Sequence, residues 1–316
     1  MQTTLSKTVR FAGVGLHGGR RSRVAVVPAP VGHGIVFRRV DAAGGGVRIP
    51  ALWSQVTDAT LCTRIGTTDA TGTEVSIATI EHLMAALAGC GITNALLEVD
   101  GAEVPILDGS AAPFVDAFLA AGLRRQPAPL QAIRLRRPVE VRAGAASARL
   151  DPAESFEMAF CIDFEDAAIG VQELAMPLAN GRFVQELSDS RTFCRLRDVE
   201  AMRARGLALG GSFENAVVVE GAQVLTPGGL RHADEPVRHK MLDALGDLAL
   251  AGAPLLARYT GVRAGHALTA ALLAELFARP DAWERVTLDA RQLARLPGAG
   301  LQQLQGRPRP ALRATA

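Results

Sequence analysis

Alternating apolar and polar positions open the chain and give way to helical spacing further on. Residues 23–27 and 34–40 alternate in this way, with Gly and Pro between the runs, which is typical of antiparallel strands. From Ser76 to Gly89 the apolar spacing becomes helical, with the first residue as the predicted cap and the last as the predicted end. A strand at 94–100 and a helix at about 111–122 are predicted to follow.

The second part of the chain repeats this order of elements. Alternating runs near 133–141 and 156–164 predict further strands, and a helix is expected from about 236 to 251. A strand at 255–259 then leads into a helix from about 267 to 278. Strands followed by helices, twice over, predict an α+β fold of two similar domains, each a β-sheet with helices layered on one face. The two halves share too little sequence identity to establish a repeat, so this prediction rests on element order.

The predicted domain boundary lies at Gln126-Pro-Ala-Pro, a short link rich in proline. It divides an N-terminal domain, residues 1–126, from a C-terminal domain, residues 127–296. Residues 297–316 are rich in Gly, Pro, Gln and Arg and carry little apolar periodicity, so they are predicted to form a frayed tail.

Composition and charge narrow the class of protein. An apolar fraction of 48% and a charged fraction of 21% are those of an ordinary globular chain. A formal net charge of +2 gives no reason to expect nucleic acid as a partner, and no obligatory protein partner is inferred. No apolar stretch approaches the roughly 18 residues of a membrane span, and the start lacks the apolar core of a signal peptide. The protein is therefore predicted to be cytoplasmic.

The cysteines are scattered through the chain without a C-x-x-C pair. They are Cys62, Cys90, Cys161 and Cys194. Neither a disulfide framework nor a cysteine-bound metal is expected from this spacing, and the four are predicted to be ordinary buried thiols.

The first predicted helix carries Glu81 and His82 on a body that is apolar on every side. Burying an ionised carboxylate without a positive partner costs about several kcal/mol. No Lys or Arg lies within a helical turn of Glu81. We therefore expect a positive group from elsewhere in the fold to lie beside it.

The helix predicted at 236–251 places His239, Asp243 and Asp247 at four-residue steps along one edge. A His and an Asp one turn apart can bind a single ion, and His82 would add a ligand from the other half. Three nitrogen and oxygen ligands leave a fourth position open for water, which is typical of catalytic rather than structural zinc sites. Glu81, adjacent to a ligand, is then the expected general base.

Each of these motifs also has an ordinary structural explanation. A lone His on an apolar helix is more often a hydrogen-bonded core residue than a ligand, and His-x-x-x-Asp is common by chance. The H-E-x-x-H motif of zinc proteases is absent. Residues 13–18 match G-x-G-x-x-G, but a strand rather than a helix is predicted after them, so a tight turn explains the glycines better than a dinucleotide site.

Several sequence blocks in a fixed order resemble the zinc-dependent UDP-3-O-acyl-N-acetylglucosamine deacetylases of lipid A biosynthesis, along nearly the whole chain. The blocks are Gly13-Val-Gly-Leu-His-Gly-Gly, Ser76-Ile-Ala-Thr-Ile-Glu-His-Leu, Pro105-Ile-Leu-Asp-Gly-Ser-Ala-Ala-Pro-Phe, Ser190-Arg-Thr-Phe, Leu209-Gly-Gly-Ser-Phe, Val237-Arg-His-Lys-Met-Leu-Asp-Ala-Leu-Gly-Asp and Gly265-His-Ala-Leu. The resemblance implies two α+β domains whose helical layers face each other, with a small insert in each.

The resemblance also assigns roles at the reacting centre. It implies His82, His239 and Asp243 as metal ligands and Glu81 as the base. Thr192 resembles the hydroxyl that stabilises the oxyanion of the tetrahedral intermediate, although a turn Thr would look the same. His266 resembles the charged histidine that faces the leaving amine, and Asp247 its carboxylate partner; without the resemblance, His266 would be a helix-entry residue.

The substrate-binding residues follow from the same resemblance. Lys240 resembles the lysine that approaches the diphosphate, Phe164 the aromatic on which uracil stacks, and Phe193 a wall beside the sugar. The acyl channel is expected to involve the second insert, at about 193–221. Its expected lining residues are Val199, Leu207, Ala208, Ser212 and Val217, and Leu16 and Leu61 of the first domain are expected to shape its entry. An amphipathic helix would contribute the same insert residues to a core.

The expected reaction is hydrolysis of the N-acetyl amide of UDP-3-O-(3-hydroxyacyl)-N-acetylglucosamine, with one Zn²⁺ per chain and Fe²⁺ as an alternative. The expected partner is thus a small UDP-acyl-sugar. Two other classes of protein remain as alternative functions for these residues. One is a metal-dependent hydratase or dehydratase, and the other is a nucleotide-sugar binding module with a structural metal. Either His266 or Glu81 could protonate the leaving amine.

Overall fold

The computed structural model describes residues 1–42 and 46–301, and the described part of its first half contains ten strands, two α-helices and a 3-10 turn, Trp53–Gln55. The strands are β1 (Thr3–Leu5), β2 (Val9–Val14), β3 (Arg21–Pro28), β4 (Ile35–Arg39), β5 (Val47–Pro50), β6 (Val56–Asp58), β7 (Arg64–Thr68), β8 (Glu74–Ile77), β9 (Ala95–Asp100) and β10 (Leu123–Arg125). The helices are α1 (Glu81–Gly89) and α2 (Ala112–Ala121).

A five-stranded sheet in the order β2-β3-β9-β4-β5 forms the body of this half. Alternate residues of its central strands are fully buried, Val24 and Val26 on β3 and Leu97 and Val99 on β9, because one face of the sheet lies against the core. Strands β6, β7 and β8 form a separate three-stranded sheet immediately before α1. The resemblance implied a small insert in this half without giving its position, and this sheet stands apart from the five-stranded sheet.

Up to residue 301, the second half has ten further strands and four α-helices. They are β11 (Gln131–Leu135), β12 (Val139–Ala143), β13 (Ala146–Pro152), β14 (Glu157–Asp163), β15 (Val171–Pro177), β16 (Phe193–Arg195), α3 (Leu196–Ala204), β17 (Val217–Glu220), β18 (Gln223–Val224), α4 (Glu235–Leu248), β19 (Leu255–Val262), α5 (His266–Ala278), β20 (Trp283–Thr287) and α6 (Ala290–Leu293). A π-helical segment, Phe183–Leu187, and a short 3-10 turn, Ala249–Ala251, complete this half.

Its main sheet has seven strands, with β12-β13-β19-β11-β20 as the main path and β14 and β15 attached through β19. A separate sheet, β16-β17-β18, joins α3 to form a subdomain at 193–224, close to the insert predicted at about 193–221. The mixture of sheets and helices confirms the predicted α+β fold class.

Helices α1 and α4 pack directly against each other and bring the two halves together. Gly246 lies at their closest approach, where a Cβ atom would fall 2.0 Å from the backbone oxygen of Glu81. Since no side chain fits in that space, glycine is required at this crossing. The two predicted polar helices are therefore neighbours, which positions the site.

Two sequence expectations about local structure were wrong in detail. Ser76 does not cap the first helix, because residues 74–77 pair with β7 as strand β8, and α1 begins only at Glu81 without a side-chain cap. The cysteines are all free thiols, but only Cys62 and Cys90 are buried, whereas Cys161 and Cys194 are half-buried.

The predicted tail falls mostly outside the described residues, since only 297–301 of it belong to them. Leu301 is buried against the core, so the described start of this segment packs on the fold. None of the helices in the described ranges has the length and apolarity needed to cross a bilayer.

Candidate metal centre and active site

His82, His239 and Asp243 converge where α1 crosses α4. The Nε2 atoms of the two histidines lie 3.4 Å and 3.2 Å from Oδ1 of Asp243, and the rings meet edge to face with centroids 4.9 Å apart. All three side chains are buried, and one ligand atom from each lies within 4.8 Å of the others. The geometry brings the three predicted ligands together.

The hydrogen bonds around this trio leave its centre suited to a cation. Nδ1 of His239 lies 3.0 Å from the carbonyl oxygen of Ser190, and only a donating Nδ1–H satisfies that contact. In the tautomer with the proton on Nδ1, the Nε2 lone pair of His239 faces Oδ1 of Asp243. That oxygen is fully buried and has no hydrogen-bond partner among the described residues. Facing acceptors in a buried site repel each other unless a positive ion lies between them.

The protonation states of the ligands also fit a metal. Burial lowers the pKa of His82, which favours the neutral imidazole that binds metals. Burial opposes the ionisation of Asp243, but its charged and polar neighbours, the donating Lys240 ammonium among them, outweigh burial and hold the pKa of this carboxyl well below its usual range. A neutral imidazole and an ionised carboxylate are the forms that coordinate zinc.

Glu81 lies at the first position of α1 and is 4% exposed. Burial raises the pKa of Glu81 to about 7, with further increases from the charges of Asp243 and Asp247, while His266 opposes the shift. Its Oε2 accepts a hydrogen bond from the backbone N–H of Thr63 at 3.0 Å, and its Oε1 lies 3.9 Å from Nε2 of His266. His266 is thus the positive group that the sequence required beside this carboxylate.

His266 begins α5 and is held by Asp247 of α4. Its Nδ1 lies 2.8 Å from Oδ2 of Asp247. Burial works to lower the pKa of His266, but the charge and hydrogen bond of Asp247, with the charges of Glu81 and Asp243, outweigh it and raise that pKa to about 9. The imidazole is therefore protonated at neutral pH and presents Nε2–H towards the cavity.

Lys240 and Thr192 border the same centre. The ammonium of Lys240 donates to Oδ2 of Asp243 at 2.7 Å, so in this structure it contacts a candidate metal ligand. Thr192 is held through its backbone, whose N–H donates to the carbonyl of Gly109 at 2.8 Å and whose carbonyl accepts from Val217 at 2.8 Å. Thr192 lines the cavity that His239 also lines.

A cavity of about 680 Å³ opens onto these groups, within the usual range for small-molecule sites. Aromatic rings form one wall. The rings of Phe164 and Phe193 meet edge to face with centroids 5.4 Å apart, and the centroid of the Phe193 ring lies 6.4 Å from that of His239. The predicted substrate residues that line this cavity are Leu16, Leu61, Phe164, Phe193, Val199, Ala208, Ser212 and Lys240.

The structure places two predicted channel residues elsewhere. Val217 is fully buried on β17, and its neighbour Val218 lines the cavity instead, because successive residues of a strand face opposite sides. Leu207 is half-buried and lies outside the cavity lining, whereas the next residue, Ala208, is part of it.

Sequence reasoning missed two residues of the site, Thr63 and His17. Thr63 is 2% exposed and contacts Glu81 and Asp247. No local pattern marks it, since its partners lie 18 and 184 residues away in the chain. His17 lines the cavity with both ring nitrogens buried and unpartnered among the described residues, and burial lowers its pKa. Its position inside the Gly13–Gly18 block was the available signal.

The fold and site together define an α+β protein with a buried two-histidine, one-aspartate centre, a neighbouring carboxylate and a charged histidine, facing one cavity. These are the parts of a metal-dependent hydrolase.

Comparison with known proteins agrees with this class. Residues 2–278 match the sequence profile of the family described as "LpxC: UDP-3-O-acyl N-acetylglycosamine deacetylase". The chain is 51% identical to the UDP-3-O-acyl-N-acetylglucosamine deacetylase of Phenylobacterium zucineum (strain HLK1) over 294 residues, which are 93% of this chain and 98% of that relative. It is 46% identical to the proteins of the same name from Shewanella sp. (strain W3-18-1) and Shewanella baltica (strain OS155), each over 290 residues, 91% of this chain and 93% of each relative. The chain belongs to the UDP-3-O-acyl N-acetylglycosamine deacetylase family, which confirms the predicted family and enzyme class.

Proposed function

We propose that this protein hydrolyses the N-acetyl amide of UDP-3-O-(3-hydroxyacyl)-N-acetylglucosamine to the free amine and acetate, the committed step of lipid A biosynthesis. The observation that carries the proposal is the buried trio of His82, His239 and Asp243, with Oδ1 of Asp243 unpartnered among the described residues. The family and the names of the relatives supply the substrate class.

His82, His239 and Asp243 would hold one zinc ion per chain. When bound, the ion supplies Lewis acidity, which makes water a nucleophile near neutral pH and polarises a carbonyl group. Two nitrogens and a carboxylate also suit ferrous iron, so the choice of zinc rests on the family resemblance and is checked by metal analysis.

The residues of the chain would divide the proton transfers between them. Glu81 accepts a proton from the attacking water as the new C–O bond forms, and its pKa of about 7 suits a base at neutral pH. The hydroxyl of Thr192 donates to the oxyanion of the tetrahedral intermediate. His266, protonated up to a pH of about 9, gives the proton from Nε2 to the amine as the C–N bond breaks, and Asp247 keeps its ring charged and oriented.

Protonation of the leaving amine by Glu81 is the alternative. The two routes differ in one variant, since His266→Gln removes the cationic acid but leaves Glu81 in place. If His266 is the acid, this variant loses the alkaline limb of its pH profile together with most of its kcat.

The substrate would lie across two adjoining cavities. A second cavity of about 550 Å³ shares Phe164, Arg195 and Lys240 with the first. Arg197 and Arg263 also border it, each paired with a carboxylate of the same lining, Glu165 and Asp163, so cationic side chains outnumber carboxylates four to two. Its cationic side chains suit a diphosphate and its aromatic ring suits uracil. The acyl chain would follow the insert side of the first cavity, where Val199, Ala208, Leu16 and Leu61 are apolar.

Two further predictions from the sequence accompany the proposed function. They are the cytoplasmic location of the protein and the domain boundary between residues 126 and 127.

Acetate release from the nucleotide sugar tests the proposal. The purified protein should release acetate in the presence of zinc, lose this activity with a chelator and regain it when zinc is restored. Thermal unfolding measured on the same samples distinguishes a catalytic from a purely structural metal, since a structural site loses fold stability on chelation. Acetate release that is independent of metal would contradict the proposal.

A further inference from the structure

Thr63 joins three of the groups that carry the proposed chemistry. It lies in the loop between β6 and β7, and its backbone N–H donates to Oε2 of Glu81 at 3.0 Å. Its hydroxyl donates to Oδ1 of Asp247 at 2.5 Å, and the same oxygen lies 3.3 Å from Nδ1 of His266. One residue of the first half therefore contacts both halves of the reacting centre.

The Asp247 carboxylate is held at both of its oxygens. Oδ1 accepts from the hydroxyl of Thr63, and Oδ2 is paired with Nδ1 of His266 at 2.8 Å. Asp247 is 3% exposed, so water has little access to replace a lost donor. A carboxylate bound at one oxygen can turn about its last bond, whereas donors at both oxygens fix its plane.

The orientation of that plane decides where the His266 ring points. With Nδ1 engaged by Asp247, Nε2 lies 3.9 Å from Oε1 of Glu81 and 3.9 Å from Oδ2 of Asp243. A tilt of the ring displaces Nε2, and displacements of about 1 Å at a reacting group can cost on the order of a hundredfold in rate. On its other side, the Thr63 N–H holds Oε2 of Glu81 and leaves Oε1 facing His266.

We propose that Thr63 is a positioning residue that aligns the Glu81 base and the His266–Asp247 pair across the two halves of the protein. The inference rests on the proposed function, because the rate it controls is that of the proposed hydrolysis. The hydroxyl acts through Asp247, and the backbone N–H acts on Glu81.

The test separates these two contacts with an isosteric substitution. Thr63→Val removes the hydroxyl but keeps the backbone N–H and the β-branched shape. We expect kcat for acetate release to fall by roughly 10- to 100-fold, the range found when partners of site residues are removed, with KM changed by less than about twofold. Bound zinc should stay near one per chain.

Conservative and distant variants control for general damage. Thr63→Ser keeps a hydroxyl and should recover most of the lost kcat. Thr57→Val makes the same chemical change at an exposed position of the same small sheet and should match the unaltered protein. If Thr63→Val does not fold, Thr63→Ala removes the same hydroxyl without placing a methyl group against the carboxylate, and the same loss of kcat is expected.

A spectroscopic measurement tests the contact without relying on activity. In protein with isotope-labelled histidine, the Nδ1 proton of His266 should shift and exchange faster with water in Thr63→Val, and should be unchanged in Thr57→Val. An unchanged kcat in Thr63→Val would overturn the inference. A reduced kcat would also overturn it if the chemical shift and exchange rate of the His266 Nδ1 proton stay unchanged. If the unaltered protein releases no acetate, the proposed function fails, while the proton measurement still decides whether Thr63 orients His266.

Discussion

Two aspartates one helical turn apart on α4 organise two different kinds of histidine site. Asp243 faces Nε2 of His82 and of His239, whereas Asp247 binds Nδ1 of His266. Burial lowers the pKa of His82, yet the pKa of His266, whose side chain is only 9% exposed, rises to about 9. The same pair of residue types thus gives an arrangement that suits a metal ion at one turn and a charged imidazole at the next.

The partner of the second ring nitrogen accounts for part of this difference. In His239, Nδ1 donates to a neutral carbonyl, that of Ser190, so Nε2 keeps its lone pair for a cation. In His266, Nδ1 meets a carboxylate, which stabilises the charged ring. Residue type alone therefore does not assign the role of a buried histidine; its hydrogen-bond partners are needed too.

Of the changes considered, loss of Asp243 should reduce activity most, because it removes one of the three proposed metal ligands. Asp243→Ala removes a ligand and leaves two imidazoles without the charge that offsets the cation. We expect zinc content to fall well below one per chain and acetate release to drop by at least about a thousandfold, as metal analysis and product assay would show. Asp281→Asn, which neutralises an exposed carboxylate, is the control. Full zinc content in Asp243→Ala would remove this residue from the ligand set.

Loss of the base should come next, with the metal retained. Glu81→Gln keeps the shape of the side chain but cannot accept a proton, so kcat should fall by roughly a hundred- to ten-thousandfold. Zinc should remain near one per chain, since Glu81 is not one of the convergent ligands. Retained deacetylation, measured as acetate produced, would exclude Glu81 as the base.

The pH dependence of activity tests the role of the His266–Asp247 pair. The proposed mechanism needs ionised Glu81 and protonated His266, so kcat/KM should rise through a pH of about 7 and fall through about 9. The Asp247 charge favours the imidazolium, so Asp247→Asn should lower the pKa of His266. We expect the alkaline limb to move towards acid by roughly one pH unit or more, while the acid limb moves less. A stationary alkaline limb in rate measurements across pH would show that His266 does not set it.

The close packing of α1 on α4 depends on Gly246, which lies between Asp243 and Asp247 along α4. A Cβ at this position would fall 2.0 Å from the Glu81 carbonyl oxygen, so Gly246→Ala must separate α1 from α4. We expect the free energy of unfolding to decrease by about 1 to 3 kcal/mol or more, measured by denaturant or thermal unfolding. Ala271→Ser, at an exposed position of α5, should cost under about 0.5 kcal/mol. Equal stability of the two variants would contradict close packing at Gly246.

Local patterns predicted the elements of the fold better than their ends. The four-residue steps of His239, Asp243 and Asp247 placed them on one helix edge, and the structure has all three on α4. The start of α1 was misjudged because the apolar run from Ser76 continues through strand β8 into the helix. Pairing with β7, which no local pattern encodes, decides where the strand stops.

The site was predictable to the extent that sequence spacing or family blocks marked its residues. The need for a positive group beside Glu81 followed from burial cost, but His266 could not be chosen for that place without tertiary contacts. Thr63 was missed for the same reason, since its contact with Asp247 spans 184 residues. Contacts across the two halves come from the packing of α1 on α4, which periodicity does not reveal.

Titration of zinc into metal-free protein tests the central claim most directly, with acetate release from UDP-3-O-(3-hydroxyacyl)-N-acetylglucosamine measured at each addition. We predict no activity without metal, a linear rise and a plateau at one zinc per chain, with Asp243→Ala showing no rise over the same range. Full acetate release by metal-free protein, or an unaltered titration in Asp243→Ala, would contradict a catalytic metal held by His82, His239 and Asp243.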